Sequence, residues 1–323
     1  MRKFIFRGGE MKRLRVRRFS ASDSAVWDDF VRNRAHAHFM FERAYMDYHK
    51  DRFPDMSFLC ECDEKVCGVF PGTLSKEKIW TSHAGLTFGG LLSDGTLGTV
   101  ATCSAFDLLN EALRNAGARI VRYKPVPWIY SSFPAEEPLY ALFRLNAELV
   151  SRQISSALIP GSFRAEERRS RGASKALKSG AGVSESDDVS AFWDMLAECL
   201  AERHSVMPVH SKEEMRLLKD RFPGRIRLFV ASLENEILAG TLLFVTEHVI
   251  HTQYLATTAR GRELGALDLL ILHLLREEWT QNRYFDFGVS CEQDGAVLNE
   301  GLIMQKEGFG GHGVVYDCYE YAL

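Results

Sequence analysis

One order of elements occurs twice in this sequence, and that repetition restricts the chain to a two-part architecture. In the first half, Ser57 to Cys62 and Val66 to Leu74 read as two strands around the turn Asp63-Glu64-Lys65. Lys78 to Ser82 and Leu86 to Leu92 read as a second strand pair around His83-Ala84-Gly85. Thr99 to Ala116 then places Phe106, Leu109 and Leu113 at helical spacing and stops at Gly117, and Arg119 to Tyr123 follows as a strand. In the second half, Arg227 to Leu233 and Ile237 to Val245 form a hairpin around Glu234-Asn235-Glu236. His248 to Thr257 is the next strand, Gly265 to Trp279 the next helix, and Tyr284 to Gly288 a strand again.

Residues align as well as elements. Phe58-Leu59-Cys60 stands against Phe229-Val230-Ala231, and Phe106-Asp107-Leu108-Leu109 against Leu267-Asp268-Leu269-Leu270. We read an internal duplication. Hairpins followed by a helix and a strand predict an α/β fold of the α+β, mixed-sheet kind, with helices on the faces of the sheets. The 323 residues suit two such domains of roughly 150 residues each, either large enough to own a core. The expected boundaries are 1–162, a basic linker helix over 163–188, and 189–323.

The linker is rich in Arg, Ser, Gly and Ala, and Arg164, Arg168, Arg171 and Lys175 recur at helical spacing. This pattern is either a solvated helix or an anion-binding face. Overall charge makes no case for nucleic acid, since the formal net charge is -3. Of the aromatic residues only Phe163 is close to these arginines, so an RNA-binding module is poorly supported. The basic N-terminus lacks the apolar stretch of a signal peptide, and no segment is apolar enough to span a bilayer. A cytoplasmic protein is the expectation. Of the seven cysteines, Cys60, Cys62 and Cys67 lie near one another, but no CxxC or Cys/His pair supplies the further ligands a metal needs, so all are expected to be reduced and structural, with no metal bound.

The C-terminal stretch is the most specific. Tyr284-Phe285-Asp286-Phe287-Gly288 leads to Glu292, then to Asn299-Glu300-Gly301-Leu302, then to Gln305-Lys306-Glu307-Gly308-Phe309-Gly310-Gly311. This resembles the FemAB-like branch of the GNAT (acyl-CoA N-acyltransferase) superfamily, as do His204 with Met207-Pro208-Val209-His210 and the strand His251 to Leu255. The resemblance covers most of residues 190–323 and extends more weakly over the first half. It implies two tandem GNAT-like domains with the active site in the second. It also implies direct transfer of an acyl or aminoacyl group from acyl-CoA or aminoacyl-tRNA to an amine, such as a small molecule or a cell-envelope or surface-sugar precursor. In such folds a backbone amide on a strand splayed from its parallel neighbour meets the oxyanion, here the strand His251 to Thr257 beside Tyr284 to Gly288.

The resemblance and the residues together nominate a site. His204 carries an imidazole suited to accept the amine proton, Glu292 lies beyond a strand end, and Tyr254 on the splayed strand is placed to protonate a leaving group. Arg260, Gly261, Arg262, Gly265 and Ala266 form a basic, glycine-bearing loop at a helix start, the expected donor-binding segment. Leu267 stands there where the superfamily's acyl-CoA loop has a small residue. Asn299, Lys306, His210 and Arg168 are the expected substrate contacts, whereas Asp286, inside an apolar strand, is expected to be a hydrogen-bond hub. The imperfect glycine loop also fits a second class, a GNAT-fold sensor that binds a ligand and transfers nothing.

Overall fold

The computed structural model describes residues 2–7, 10–204, 208–279 and 281–323, the side chains of residues 2, 4–11 and 202–204 excepted. Met207 lies outside the described residues. The chain forms two compact units. Unit 1 comprises Met1–Gln153, Gln293–Ala296 and Val315–Leu323, and unit 2 comprises Ile154–Glu292 and Val297–Val314. The division departs from the expected boundaries: residues 163–188 lie inside unit 2, and the last residues of the chain belong to unit 1.

Unit 1 begins with β1 (Arg2–Arg7), β2 (Glu10–Arg18), α1 (Ser24–Asp29) and α2 (Arg43–Met46). β3 (Phe58–Cys62), β4 (Lys65–Phe70), β5 (Thr73–Leu74), β6 (Ile79–Thr81) and β7 (Leu92–Ser93) follow, then α3 (Thr99–Asn115), β8 (Ile120–Tyr123), α4 (Glu137–Arg144) and the start of β9 (Glu148–Leu158). Strands β1, β2, β3, β4 and β7 form one sheet in that order. The β3–β4 turn closes in two residues because Asp63 and Glu64 both take positive φ, which matches the twist of the flanking strands. Helix α3 buries Ala105, Phe106, Leu109 and Leu113, the stripe its spacing predicts, in a core with Leu14, Phe70 and Trp80.

The expected pairing of Lys78–Ser82 with Leu86–Leu92 does not form. Instead β6 pairs antiparallel with β5 and parallel with β8, and only Leu92–Ser93 is strand, against β4. Two glycines break the pleat. Gly90 has φ +90°, and a Cβ on Gly89 would lie 2.1 Å from the Ser82 carbonyl oxygen.

Unit 2 takes up the end of β9 and continues through α5 (Glu167–Lys178), β10 (Gly182–Ser186), α6 (Val189–His204) and α7 (Lys212–Arg221). Next come β11 (Ile226–Leu233), β12 (Glu236–Val245), β13 (Val249–Thr257), α8 (Ala259–Leu264), α9 (Ala266–His273) and β14 (Tyr284–Val289). β15 (Cys291–Glu292), β16 (Val297–Leu298), α10 (Glu300–Glu307) and the first residues of β17 (His312–Ala322) complete it. The sheet order is β10-β11-β12-β13-β14-β9, antiparallel except between β13 and β14. Ser211 caps α7, and the Glu214 side chain accepts from the Ser211 amide, a reciprocal box that starts the helix firmly. The apolar run of α9 packs on Phe229, Leu243, Ile250 and Phe285.

The expected single helix Gly265 to Trp279 is α9 plus one wide π turn, Leu274–Glu278. Its expected start is preceded by the separate short helix α8. Helix α5, expected as a linker, packs on α9: a Cβ on Gly265 would lie 2.4 Å from the Gly172 carbonyl oxygen, and Arg169 pairs with Asp268 at 2.9 Å. Among the described residues no helix is long and apolar enough to cross a membrane.

Candidate active site

The site is built where two parallel strands part. β13 and β14 pair at Val249↔Tyr284, Ile250↔Phe285 and His251↔Asp286, and the ladder stops there. Gly288, at φ +75°, turns β14 away, while its other edge stays bonded to β9 through Val289↔Ser155 and the Ser290 amide, which donates to the Ile154 carbonyl at 2.8 Å. Beyond the last rung, β13 is paired with β12 alone, so its edge toward β14 is open from Thr252 onward. A strand edge whose backbone N–H groups lack a strand partner is one feature that a developing oxyanion requires.

Unit 1 contains the corresponding parallel pair, but its opening is closed. β6 and β8 also pair at three positions, Ile79↔Ile120, Trp80↔Val121 and Thr81↔Arg122. There, however, the Ser82 amide donates to the Arg122 carbonyl at 2.9 Å, the Lys124 amide to Ser82 Oγ at 2.8 Å, and the Gly89 amide to the Lys124 carbonyl at 2.8 Å. Among the described residues, only unit 2 leaves the gap open.

A buried polar network lies at the last rung. Asp286 is fully buried, and its Oδ1 accepts from Ser155 Oγ at 2.5 Å and from the Gly288 amide at 3.0 Å. Its Oδ2 lies 3.0 Å from His251 Nδ1. The expected hub is therefore present. Lys306, on α10, is 4% exposed, and its ammonium donates to the Gly288 and Val289 carbonyls at 2.7 and 2.8 Å, which holds the end of β14 in its turned course. Burial pushes the Lys306 ammonium down to about 8, against the opposing pull of Asp286. Thr252 Oγ1 and Ser290 Oγ, one on each chain beyond the last rung, are buried without hydrogen-bond partners.

A β-bulge shapes β13 further. Thr252 is opposite Leu243 and Tyr254 opposite Leu242, so Gln253 is an extra residue. Side chains directly across a ladder share a face, and His251 is opposite Phe244. Leu242 and Phe244 are two apart on β12, so the bulge sets His251 and Tyr254 on one face, where strict alternation would separate them. The Tyr254 hydroxyl lies 2.6 Å from His210 Nδ1 and its ring meets Trp193 of α6 edge-on. Burial pushes the phenol up to about 12, so it is neutral at physiological pH.

The structure thus joins Tyr254 with His210, and Glu292 with Asn299, whose amide nitrogen donates to Glu292 Oε1 at 3.0 Å while its oxygen caps α10. Glu292 is exposed. His204 closes α6, and its side chain lies outside the described residues. The donor-loop residues are spread over two helices. Arg260 pairs with Glu236, Arg262 donates to the Thr257 carbonyl at 2.9 Å, and Gly261 lies against β12, with Leu238 O 2.1 Å from where its Cβ would be. Gly265, in the left-handed region, and the buried Ala266 open α9 under Gly172. Arg168 pairs with Glu166 and is half exposed.

Sequence reasoning missed His251, Ser155 and the partly buried anchor Arg169, which also stacks on Phe309 at 4.5 Å. Asp286 was the available signal, because a carboxylate in an apolar strand needs donors from its neighbours.

Comparisons with known proteins bear on the fold. Residues 161–294 match the family described as acetyltransferase (GNAT) domain. Among solved structures, FemX is similar at 14% identity, over 95% of this chain and 97% of that one, with a TM-score of 0.68. The C-terminal domain of an inferred lysylphosphatidylglycerol synthetase from Agrobacterium fabrum is 14% identical, over 93% and 91% of the chains, with a TM-score of 0.60. A tandem GNAT protein from the clavulanic acid biosynthesis pathway is 12% identical, over 96% and 98%, with a TM-score of 0.50. At these identities the likeness is one of fold. No curated protein matches the sequence. Residues 161–294 thus match the acetyltransferase (GNAT) domain family, and the chain as a whole shares the fold of FemX and of the tandem GNAT protein.

Proposed function

We propose that the protein moves an acyl or aminoacyl group from an activated ester or thioester onto an amine, at the opening between β13 and β14. The observation that carries this reading is the parallel ladder that ends at His251 and Asp286 and leaves the following edge of β13 open. The amine lone pair attacks the acyl carbonyl, backbone N–H groups of that edge stabilise the oxyanion, and the neutral phenol of Tyr254 protonates the leaving atom. Glu292, His204 and Asn299 are proposed to orient the acceptor, and the one ammonium proton of Lys306 not given to Gly288 or Val289 to contact substrate.

The start of α9 bears on the donor. Gly172 covers Gly265 there, and Arg260 and Arg262 are engaged with Glu236 and the Thr257 carbonyl. A pyrophosphate would have to displace these contacts, which favours an aminoacyl ester over acyl-CoA as the donor. The resemblance of the C-terminal stretch to the FemAB-like branch makes a cell-envelope amine the first acceptor class to test. Cytoplasmic placement is part of the same reading, since such donors are made there.

The test is product formation. Aminoacyl-tRNA and a series of acyl-CoAs are each supplied with an amine panel, and amide products are read by mass spectrometry. Amide from an aminoacyl ester supports the reading as stated. Amide from acyl-CoA alone overturns the donor assignment. Donor binding by thermal shift with no amide in any combination supports a sensor instead.

A further inference from the structure

We infer that His251 is the base that takes the proton from the attacking amine, with Asp286 and Ser155 as its positioning residues. The inference rests on the proposed N-acyl transfer and deepens it.

Four observations meet at this imidazole. It sits on the last rung before the strands part, at the mouth of the only such opening in unit 2 among the described residues. Its Nδ1 lies 3.0 Å from Asp286 Oδ2, and that carboxylate already accepts from Ser155 Oγ and the Gly288 amide. A carboxylate filled in this way accepts from Nδ1, so the proton is on Nδ1 and the lone pair on Nε2. The His251 side chain is 12% exposed while Asp286 is fully buried, and no described group hydrogen-bonds Nε2. The site a Cβ would occupy on Gly288 is 3.3 Å from His251 Cε1 and 3.9 Å from Nε2, so a glycine keeps the space beside the reactive edge of the ring clear.

The groups facing the ring are Asp286 from β14 and, through Asp286, Ser155 of β9 and the Lys306 ammonium of α10. On its own strand the bulge at Gln253 brings Tyr254 to the same face. The proton inventory then closes. As the C–N bond forms, the amine nitrogen gives one proton to His251 Nε2. The bond from the acyl carbon to the leaving oxygen or sulfur breaks, its electron pair stays on that atom, and the Tyr254 phenol supplies the proton. Imidazolium loses its proton to solvent and phenolate regains one, so the protein ends unchanged.

The test uses the full chain, an aminoacyl ester or acyl thioester that the wild type accepts, and a simple amine. Turnover is followed against pH while the His251 ring is titrated by NMR in the wild type. We expect an acidic limb in kcat/KM whose midpoint coincides with the NMR midpoint. His251→Gln and His251→Ala should lower turnover by a hundredfold or more, remove that limb, and leave the circular dichroism spectrum unchanged, with imidazole in the buffer restoring activity to His251→Ala. Asp286→Asn should move the limb, which a merely structural residue would not. Three results overturn the inference: a folded His251→Gln within threefold of wild type, an unchanged limb in that variant, or an NMR midpoint apart from the limb. If either variant fails to fold, the wild-type comparison of midpoints decides alone. Absence of transfer by the wild type with every donor would sink the transferase reading itself, a different outcome from transfer that ignores His251.

Discussion

His251 and Asp286 are joined twice, as partners in the last rung of a parallel ladder and as an imidazole and carboxylate 3.0 Å apart. The rung that ends the pairing is thus also the one that carries acid–base groups. In unit 1 the corresponding final rung pairs Thr81 with Arg122, and the chain beyond it is bonded shut. The two units therefore differ at the same point of their sheets, with the strands parted in unit 2 and bonded together in unit 1.

Gly288→Ala tests the turn of β14. A residue with a Cβ at φ +75° is strained, and this Cβ would press on His251 at 3.3 Å. The variant should lose about 1–3 kcal/mol in urea unfolding and more than tenfold in turnover. Wild-type stability would show that the turn is not constrained as described.

The Arg169–Asp268 pair holds α5 on α9, with both side chains mostly buried. Arg169→Leu strands a carboxyl whose burial already pushes its pKa up, and should destabilise by about 3 kcal/mol. Adding Asp268→Leu should recover most of that loss, because the stranded charge is gone. Additive losses in the double-mutant cycle would mean that the two groups do not act as a pair.

Lys306 makes a prediction in alkali. Its pKa falls from 10.5 to about 8 on folding because burial disfavours the ammonium. Between those values the unfolded chain binds more protons than the folded one, so the wild type should gain stability relative to Lys306→Met as pH rises from 8 to 10.5. Below pH 8 both states are protonated and the difference should be flat. A difference that shrinks through the window contradicts the burial argument.

Glu292→Gln keeps the shape and the hydrogen-bond partner Asn299 but removes the charge. Thermal melting should move by less than 2 °C, since the side chain is exposed, while transferase turnover should drop about tenfold. Unchanged turnover would reduce Glu292 to a surface contact of Asn299.

Local pattern was enough for most of the elements, and for one part of the site. Helix spacing at Phe106, Leu109 and Leu113, the Glu234-Asn235-Glu236 turn and the Asp-Phe-Gly strand are short-range features, set by side-chain period and turn geometry within a few residues. A carboxylate at Asp286 also announced, from sequence, that donors must surround it. Which donors they are depended on register: only the adjacency of β13, β14 and β9 brings His251 and Ser155 to Asp286. The same holds for the extra residue at Gln253, the close approach of Gly172 to Gly265, and the closing of the unit 1 gap by Ser82 and Gly89. Each depends on how separate segments meet, neighbouring strands at Gln253 and distant ones elsewhere, and periodicity along one segment carries no record of it.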